Sequence, residues 1–406
     1  MDTGDTAWVL VSSALVMLMT PALGFFYGGL VQRKNALSTI MHSVFILALI
    51  SVQWVLWGFS LAFAPGGGFS GGLDWLAFRG VGQEPNADYA ATIPFLAFAG
   101  FQMMFAIITP ALITGAFAER KRFKAMVIFT LLWATFVYAP VAHWVWAVDG
   151  WLRDFGALDF AGGTVVHITA GIAALVAASM LGKRIGFGQV ALEPHNVTYT
   201  VLGAGLLWFG WFGFNAGSAL GANGLAANAL IVTNTSAAMG GLAWMTASWL
   251  RHGRPSVLGL ACGAVAGLVA ITPAAGFVDT PASVIIGLGA GILCFFAVDL
   301  FKRGMGVDDA LDVFAVHGVG GIWGALATGL FATTAVNPAG FDGLFYGNPG
   351  QLVKQAVAVA VVAAFTAAVT WIILKVIDVT IGLRVPEQEE VLGLDTTTHG
   401  EVAYQL

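Results

Sequence analysis

Long apolar runs alternate along the chain with short polar interruptions, and few of the runs carry a charge. Stretches of about 20 residues bounded by charges or by Pro and Gly clusters are long enough to cross a bilayer as helices. They predict eleven spans: 8–30, 36–64, 92–117, 125–148, 163–181, 198–217, 225–250, 257–275, 281–301, 313–332 and 351–383. A membrane β-barrel would instead show short alternating segments. The Gly- and Pro-rich stretch 65–91 is expected to be an irregular loop. The division expected is a transmembrane domain over 1–383 and a polar tail over 384–406.

Composition agrees with this pattern. At 58% hydrophobic and 10% charged residues over 406, the chain has more apolar surface than one soluble core can hide. The net charge of −5 says little about partners, and no arginine-rich helix points to nucleic acid. Cys262 and Cys294 fall inside predicted spans and read as free thiols.

Basic residues set the orientation, because positively charged loops stay in the cytoplasm. Arg33, Lys34, Arg120, Lys121, Arg122, Lys124, Lys183, Arg184, Arg251, Arg254, Lys302, Arg303 and Arg384 fall on one side, against Arg79 and Arg153 on the other. The expected arrangement is a multi-pass protein of the cell membrane with its amino terminus outside and its carboxyl terminus inside. The acidic start, Met1 to Asp5, lacks the basic opening of a signal peptide, and removal of a leader stays open. Lys375 and Asp378 are spaced to pair on one face of the last span.

Two polar islands interrupt the apolar pattern: Asp159-Phe-Ala-Gly-Gly-Thr-Val-Val-His167 and Asp312-Val-Phe-Ala-Val-His317-Gly-Val-Gly-Gly. Ionisable groups inside a span are costly, so His167 and His317 are read as functional partners. They fall in spans five and ten. Two units of five spans have opposite orientations, which predicts a 5+5 inverted repeat with one additional helix and a site near the midplane. Each histidine lies only roughly 7 to 8 Å beyond its helix start. To meet, both helices must begin below the membrane surface.

Two neutral imidazoles can share a proton, one nitrogen donating and the other accepting, and so thread a polar route through apolar walls. No metal or cofactor is predicted, since no HExxH or cysteine-rich ligand set accompanies the histidines. The same absence argues against an enzyme. Asp159 reads either as a cap on its helix or as electrostatic help to a cation, and Asp312 as its counterpart. His42 and His143 are expected to satisfy local hydrogen bonds, and His195, His252 and His399 to lie in loops or tail. Phe101 and Phe105 share a helical face, and topology puts Trp146, Phe214 and Ser218 towards the outer side. Aromatic faces attract a cation and a serine hydroxyl accepts its proton, which makes cation recruitment the reading of that cluster.

These segments, with Gly24-Phe-Phe-Tyr-Gly-Gly, Phe101-Gln-Met-Met-Phe and Gly210-Trp-Phe-Gly-Phe-Asn-Ala-Gly-Ser, resemble the ammonium transporter family, the Amt/Mep/Rh group, along essentially the whole chain. The resemblance is nearest to its prokaryotic Amt branch. It implies an eleven-span homotrimer with a pore in each protomer. It also implies an outer ammonium-recruitment site at Trp146, Phe105, Ser218 and Phe101, a phenyl gate at Phe105 and Phe214, and a twin-histidine pair at His167 and His317. The tail, with Gly382-Leu-Arg, Gly393-Leu-Asp and His399-Gly-Glu, resembles tails that cooperate with cytoplasmic PII-type regulatory proteins. Asp149 and Arg153 in the outer loop depart from the family pattern. The function expected is recruitment of ammonium, its deprotonation, and passage of ammonia past the histidines, with coupled proton transfer left open. Competing readings are an ammonium-sensing receptor and an Rh-like neutral gas channel.

Overall fold

The computed structural model describes residues 1–405, and nearly all of the secondary structure is helical. Nine helices among the described residues are long and apolar enough to cross a membrane: Thr3–Leu30 (α1), Arg33–Phe63 (α2), Phe95–Phe117 (α3), Phe123–Phe155 (α4), Gly163–Leu181 (α5), Val197–Ala219 (α6), Thr280–Gly304 (α9), Phe314–Phe331 (α10) and Pro349–Ile381 (α11). Between α6 and α9 lie Gly224–His252 (α7) and Val257–Ile271 (α8), at the two remaining positions of the predicted series. α8 ends before the predicted 275 because Pro273 cannot continue it, and residues 272–277 fold as successive turns.

Stretch 65–91 is irregular, as its composition indicates, apart from a short 3₁₀ turn at Leu76–Phe78 and a small hairpin that pairs Pro85–Asn86 with Ala90–Pro94. The tail is less open than its polarity suggests. It forms two short helices, Glu387–Leu392 (α12) and Leu394–His399 (α13), docked on the body.

An ionic cluster organises that docking face. Arg184 donates to Glu119 at 2.6 Å and to Asp308 at 2.8 Å, and all three side chains are buried. Against the upward push of burial, hydrogen bonds and charge from Arg184 bring the Asp308 carboxyl below its ordinary range. Glu119 also accepts from Gln32 N–H and Asn35 Nδ2, both at 2.9 Å, which ties the α1–α2 turn to the α3–α4 turn. The tail joins through Arg384, which pairs with Glu390 at 2.8 Å, and through Asp395. The Asp395 carboxylate accepts N–H bonds from Leu37 and Ser38 at 3.0 and 2.8 Å, and so caps the first α-helical turn of α2 from a distant part of the chain. Lys375 and Asp378 do not form the expected pair. Both are exposed on α11, where solvation and side-chain freedom outweigh a surface ion pair.

Candidate functional site

α5 and α10 both begin with a six-residue π-helical turn, Gly163–Ile168 and Phe314–Val319, and each turn contains its histidine. Such turns widen a helix and re-aim its side chains, and they recur at functional sites. Glycine lets the two helices cross there. A Cβ on Gly171 would sit 2.2 Å from the Gly318 nitrogen, and one on Gly321 would sit 3.1 Å from Cβ of His167. The result is a contact of 3.2 Å between Nδ1 of His167 and Nδ1 of His317, with both side chains buried. For neutral rings one of these nitrogens donates and the other accepts. Nε2 of His167 has no protein partner.

Three cavities lie in series around this pair. The first, called outer after the side that the charge pattern assigns to it, is about 200 Å³ and is lined by Phe101, Phe105, Trp146 and Ser218, and also by Phe98, Gln102, Arg153 and Phe160. The central one has room for about 10 Å³, near the space of a single water, and is lined by both histidines with Trp211, Phe214, Ile108 and Leu112. The inner one, about 70 Å³, is lined by His317 with Tyr27, Cys262, Val265 and Asp312. Phe105 borders the outer cavity and Phe214 the central one, and their ring centroids are 4.4 Å apart. These two rings therefore stand between the two cavities.

The remaining side chains are fixed by local bonds. Trp146 donates its indole N–H to the Asp159 carbonyl at 3.0 Å, so it offers the outer cavity a ring. Ser218 donates to the Phe214 carbonyl at 2.8 Å, which leaves its oxygen free to accept. Asp159 takes four backbone N–H bonds, from Gly162, Gly163, Thr164 and Val165, at 2.7 to 3.0 Å. Of its two readings, the cap has all four of these contacts. Asp312 differs from its expected counterpart, since its carboxylate pairs with Lys302 at 2.8 Å. Asp309 caps α10 instead, accepting from Phe314 N–H at 2.7 Å.

His143 meets carbonyls as expected, with its ring nitrogens 3.0 Å from Ala62 O and 2.6 Å from Gly67 O, and a neutral ring donates to one of the two. His42 does not. Neither nitrogen has a partner, because the ring is enclosed by Phe117 and Phe123. Asp149 holds the outer loop through Gly66 and Gly67 N–H, whereas Arg153 reaches the cavity wall and donates to the Trp146 carbonyl at 3.0 Å. Cys262 and Cys294 are free thiols.

Two participants escaped the sequence reading. Trp211 stacks on His167 with centroids 5.4 Å apart, and its position three residues before Phe214 was the available signal. Asp309 was masked by its neighbours in Asp308-Asp-Ala-Leu-Asp312, where only the backbone reveals which acid faces the helix start.

Fold and site together define a helical multi-pass membrane protein with cavities arranged through its interior around two touching histidines. The model of the Ammonium Transporter Family matches residues 7–404. An ammonium transporter of Bacillus subtilis (strain 168) is 55% identical over 405 residues, covering 100% of this chain and 99% of that protein. The crystal structure of Saccharomyces cerevisiae Mep2 is 40% identical with a TM-score of 0.89, over 95% of this chain and 88% of that one. A structure described as a sensor Amt protein is 31% identical with a TM-score of 0.90, over 97% of this chain and 98% of that one. The chain belongs to the Ammonium Transporter Family.

Proposed function

We propose that this chain is an ammonium transporter of the cell membrane, with ammonium recruited in the outer cavity and ammonia conducted past His167 and His317. Its substrate class comes from the family; the route comes from the cavities. The observation that carries it is the 3.2 Å contact between the two imidazoles at the narrowest space on the route. An intact ion entering that space would lose its hydration at a cost of several kcal/mol or more. Ammonium avoids the cost by giving up a proton, and potassium cannot. Phe101, Phe105, Trp146 and Ser218 recruit, Phe105 and Phe214 gate, and the imidazoles offer the released proton a hydrogen-bonded route. Asp159 and Asp309 hold the two helix starts in place.

The same reading takes α1 to α11 as eleven spans, with α7 and α8 joining the nine that are long and apolar by themselves. The matching π turns of α5 and α10 support an inverted 5+5 repeat with α11 added. Docking of the tail against Lys34, Arg122 and Arg184-linked turns supports placing it with the basic loops, in the cytoplasm. A homotrimer and a PII-type partner for the tail complete the proposal. Deleting residues 395–406 should leave a folded oligomer and weaken inhibition of flux by such a partner.

The test is paired current and ammonium uptake by purified protein in vesicles, with ammonium alone varied and with potassium present or absent. Saturable uptake indifferent to potassium is expected, and current accompanying uptake would assign the proton to the same route. A second reading, ammonium sensing, is favoured by the likeness to the sensor Amt protein. It requires ammonium binding without appreciable flux, so uptake above that of protein-free vesicles rules it out.

A further inference from the structure

The outer cavity carries two opposite charges that the transport route leaves without a task. Of its lining side chains only Asp88 and Arg153 are charged, and both are exposed. Asp88 stands in the turn of the small hairpin, beside Tyr89. The Tyr89 hydroxyl donates to the Phe63 carbonyl at 2.7 Å and accepts from Val148 N–H at 3.3 Å, so the hairpin is held against the end of α2 and against α4. Arg153 comes from the last turn of α4 and donates to the Trp146 carbonyl at 3.0 Å. Its charge is thus held beside the residue whose ring faces the cavity.

Neither charge is cancelled locally. Among the described residues, Asp88 and Arg153 form no ion pair within 4.0 Å, with each other or with another side chain. Arg153 also lies over no aromatic face there, so it does not take the seat that the rings offer a cation. Asp149 and Asp159, which lie nearby, are committed to backbone N–H groups.

A fixed guanidinium on the wall works against a cation and leaves a neutral amine alone, and a carboxylate does the opposite. Across about 7 Å, the width of a sphere of the cavity's volume, one unit charge changes the affinity for another by about threefold in water and about sevenfold where the walls halve the dielectric constant. Salt at about 1 M screens over about 3 Å and removes most of that effect, whereas about 10 mM screens over about 30 Å and removes little.

We propose that Arg153 is the residue that sets the affinity of the outer cavity: its charge weakens the hold on ammonium, against the pull of Asp88, and keeps recruitment weak and reversible. This rests on the reading of the outer cavity as the ammonium site.

Initial uptake by the full chain in vesicles tests it, over an ammonium series at low and at high ionic strength, set with sodium chloride on both faces. At about 10 mM salt Arg153→Gln should lower the half-saturating concentration by about 3- to 7-fold, and Asp88→Asn should raise it by as much. At about 1 M salt both should lie within about twofold of the parent. Arg153→Lys keeps the charge and should follow the parent at both ionic strengths. An Arg153→Gln variant that shifts upward, that shifts equally at both ionic strengths, or that is matched by Arg153→Lys assigns the side chain to holding the Trp146 carbonyl and overturns the proposal. Asp88→Asn moving in the same direction as Arg153→Gln overturns it as well. Trp146→Leu in the same series separates the underlying reading. Unshifted, it removes the outer site and the proposal with it; shifted beside an unshifted Arg153→Gln, it keeps the site and overturns only the role of the charge.

Discussion

The two histidine-bearing entries, α5 and α10, are alike in backbone and unlike in electrostatics. Each begins with a π turn and delivers an imidazole to the same contact. At α5 one acid, Asp159, does a single task with four N–H bonds. At α10 the work is divided. Asp309 caps the helix with one oxygen while its other oxygen is unpartnered, and Asp312 faces the inner cavity in an ion pair with Lys302. Geometry needed at the histidines is thus held in common, while charge is left free to differ at the two mouths. One entry is a rigid cap held by four bonds, and the other divides its acids between a cap and an ion pair.

The largest effect should come from breaking the rigid side. Asp159→Ala leaves four N–H groups at a buried helix start without their acceptor, and each such group costs about 1 to 3 kcal/mol where water cannot replace it. Thermal unfolding of detergent-purified protein should fall further than for any other single change named here, with flux lost at temperatures where the protein is still folded. Asp312→Asn, which removes only a partly exposed pair, should move the midpoint little. Equal shifts for the two variants would mean that the entries are not differently built.

Next comes the contact that the entries share. His167→Asp places an acid where a whole cation can be held by direct charge, so potassium should compete with ammonium or pass with it. His167→Ala with His317→Ala should instead depress proton-coupled current by about tenfold or more, which corresponds to about 1.4 kcal/mol in the barrier. Paired uptake and current separate the two outcomes. An acidic variant that still excludes potassium would move selectivity to the outer aromatic cavity.

The inner entry should also respond to pH, through Asp309. Burial, then the neighbouring Asp312 charge, push the Asp309 carboxyl up to about 6. Its ordinary value in the unfolded chain is about 3.9. Between these values the folded protein holds a proton that the unfolded chain has released, so the stabilisation is complete below about 4 and is lost as pH rises through about 6. Asp309→Asn should flatten the fall in unfolding midpoint between pH 4 and 6, by an amount on the order of 3 kcal/mol at most. A slope that survives the substitution would assign the titration elsewhere.

How much of this was readable in advance follows from what each feature depends on. Hydrophobic run length is a one-dimensional property, so the helices and the irregular stretch 65–91 could be placed from order alone. The histidine pair was legible because an ionisable group in an apolar run is conspicuous wherever it occurs. Which acid caps α10 was not legible, since Asp308, Asp309 and Asp312 differ only in backbone direction, and Asp312 takes a positive φ of 60° that no pattern announces. The docked tail was missed for a related reason. Its anchors, Glu390 and Asp395, accept from the N–H groups of Ile185, Leu37 and Ser38, all more than 200 residues away, and Glu390 pairs besides with the guanidinium of Arg384 within the tail.

The smallest effects belong to the outer cavity, where the proposed recruitment would be divided among weak contacts. A desolvated cation over the Trp146 face gains about 0.5 to 2 kcal/mol, so Trp146→Leu should raise the half-saturating ammonium concentration by about 2- to 30-fold and lower the maximal flux less. Ser218→Ala should do less still. The hydroxyl's own proton is committed to the Phe214 carbonyl, so the alanine loses one acceptor toward ammonium, worth about 0.5 to 1.5 kcal/mol. It also frees that carbonyl, which can accept in the hydroxyl's place. A concentration series should therefore show a smaller shift for Ser218→Ala than for Trp146→Leu. The reverse order would make hydrogen bonding, rather than the aromatic face, the main source of recruitment.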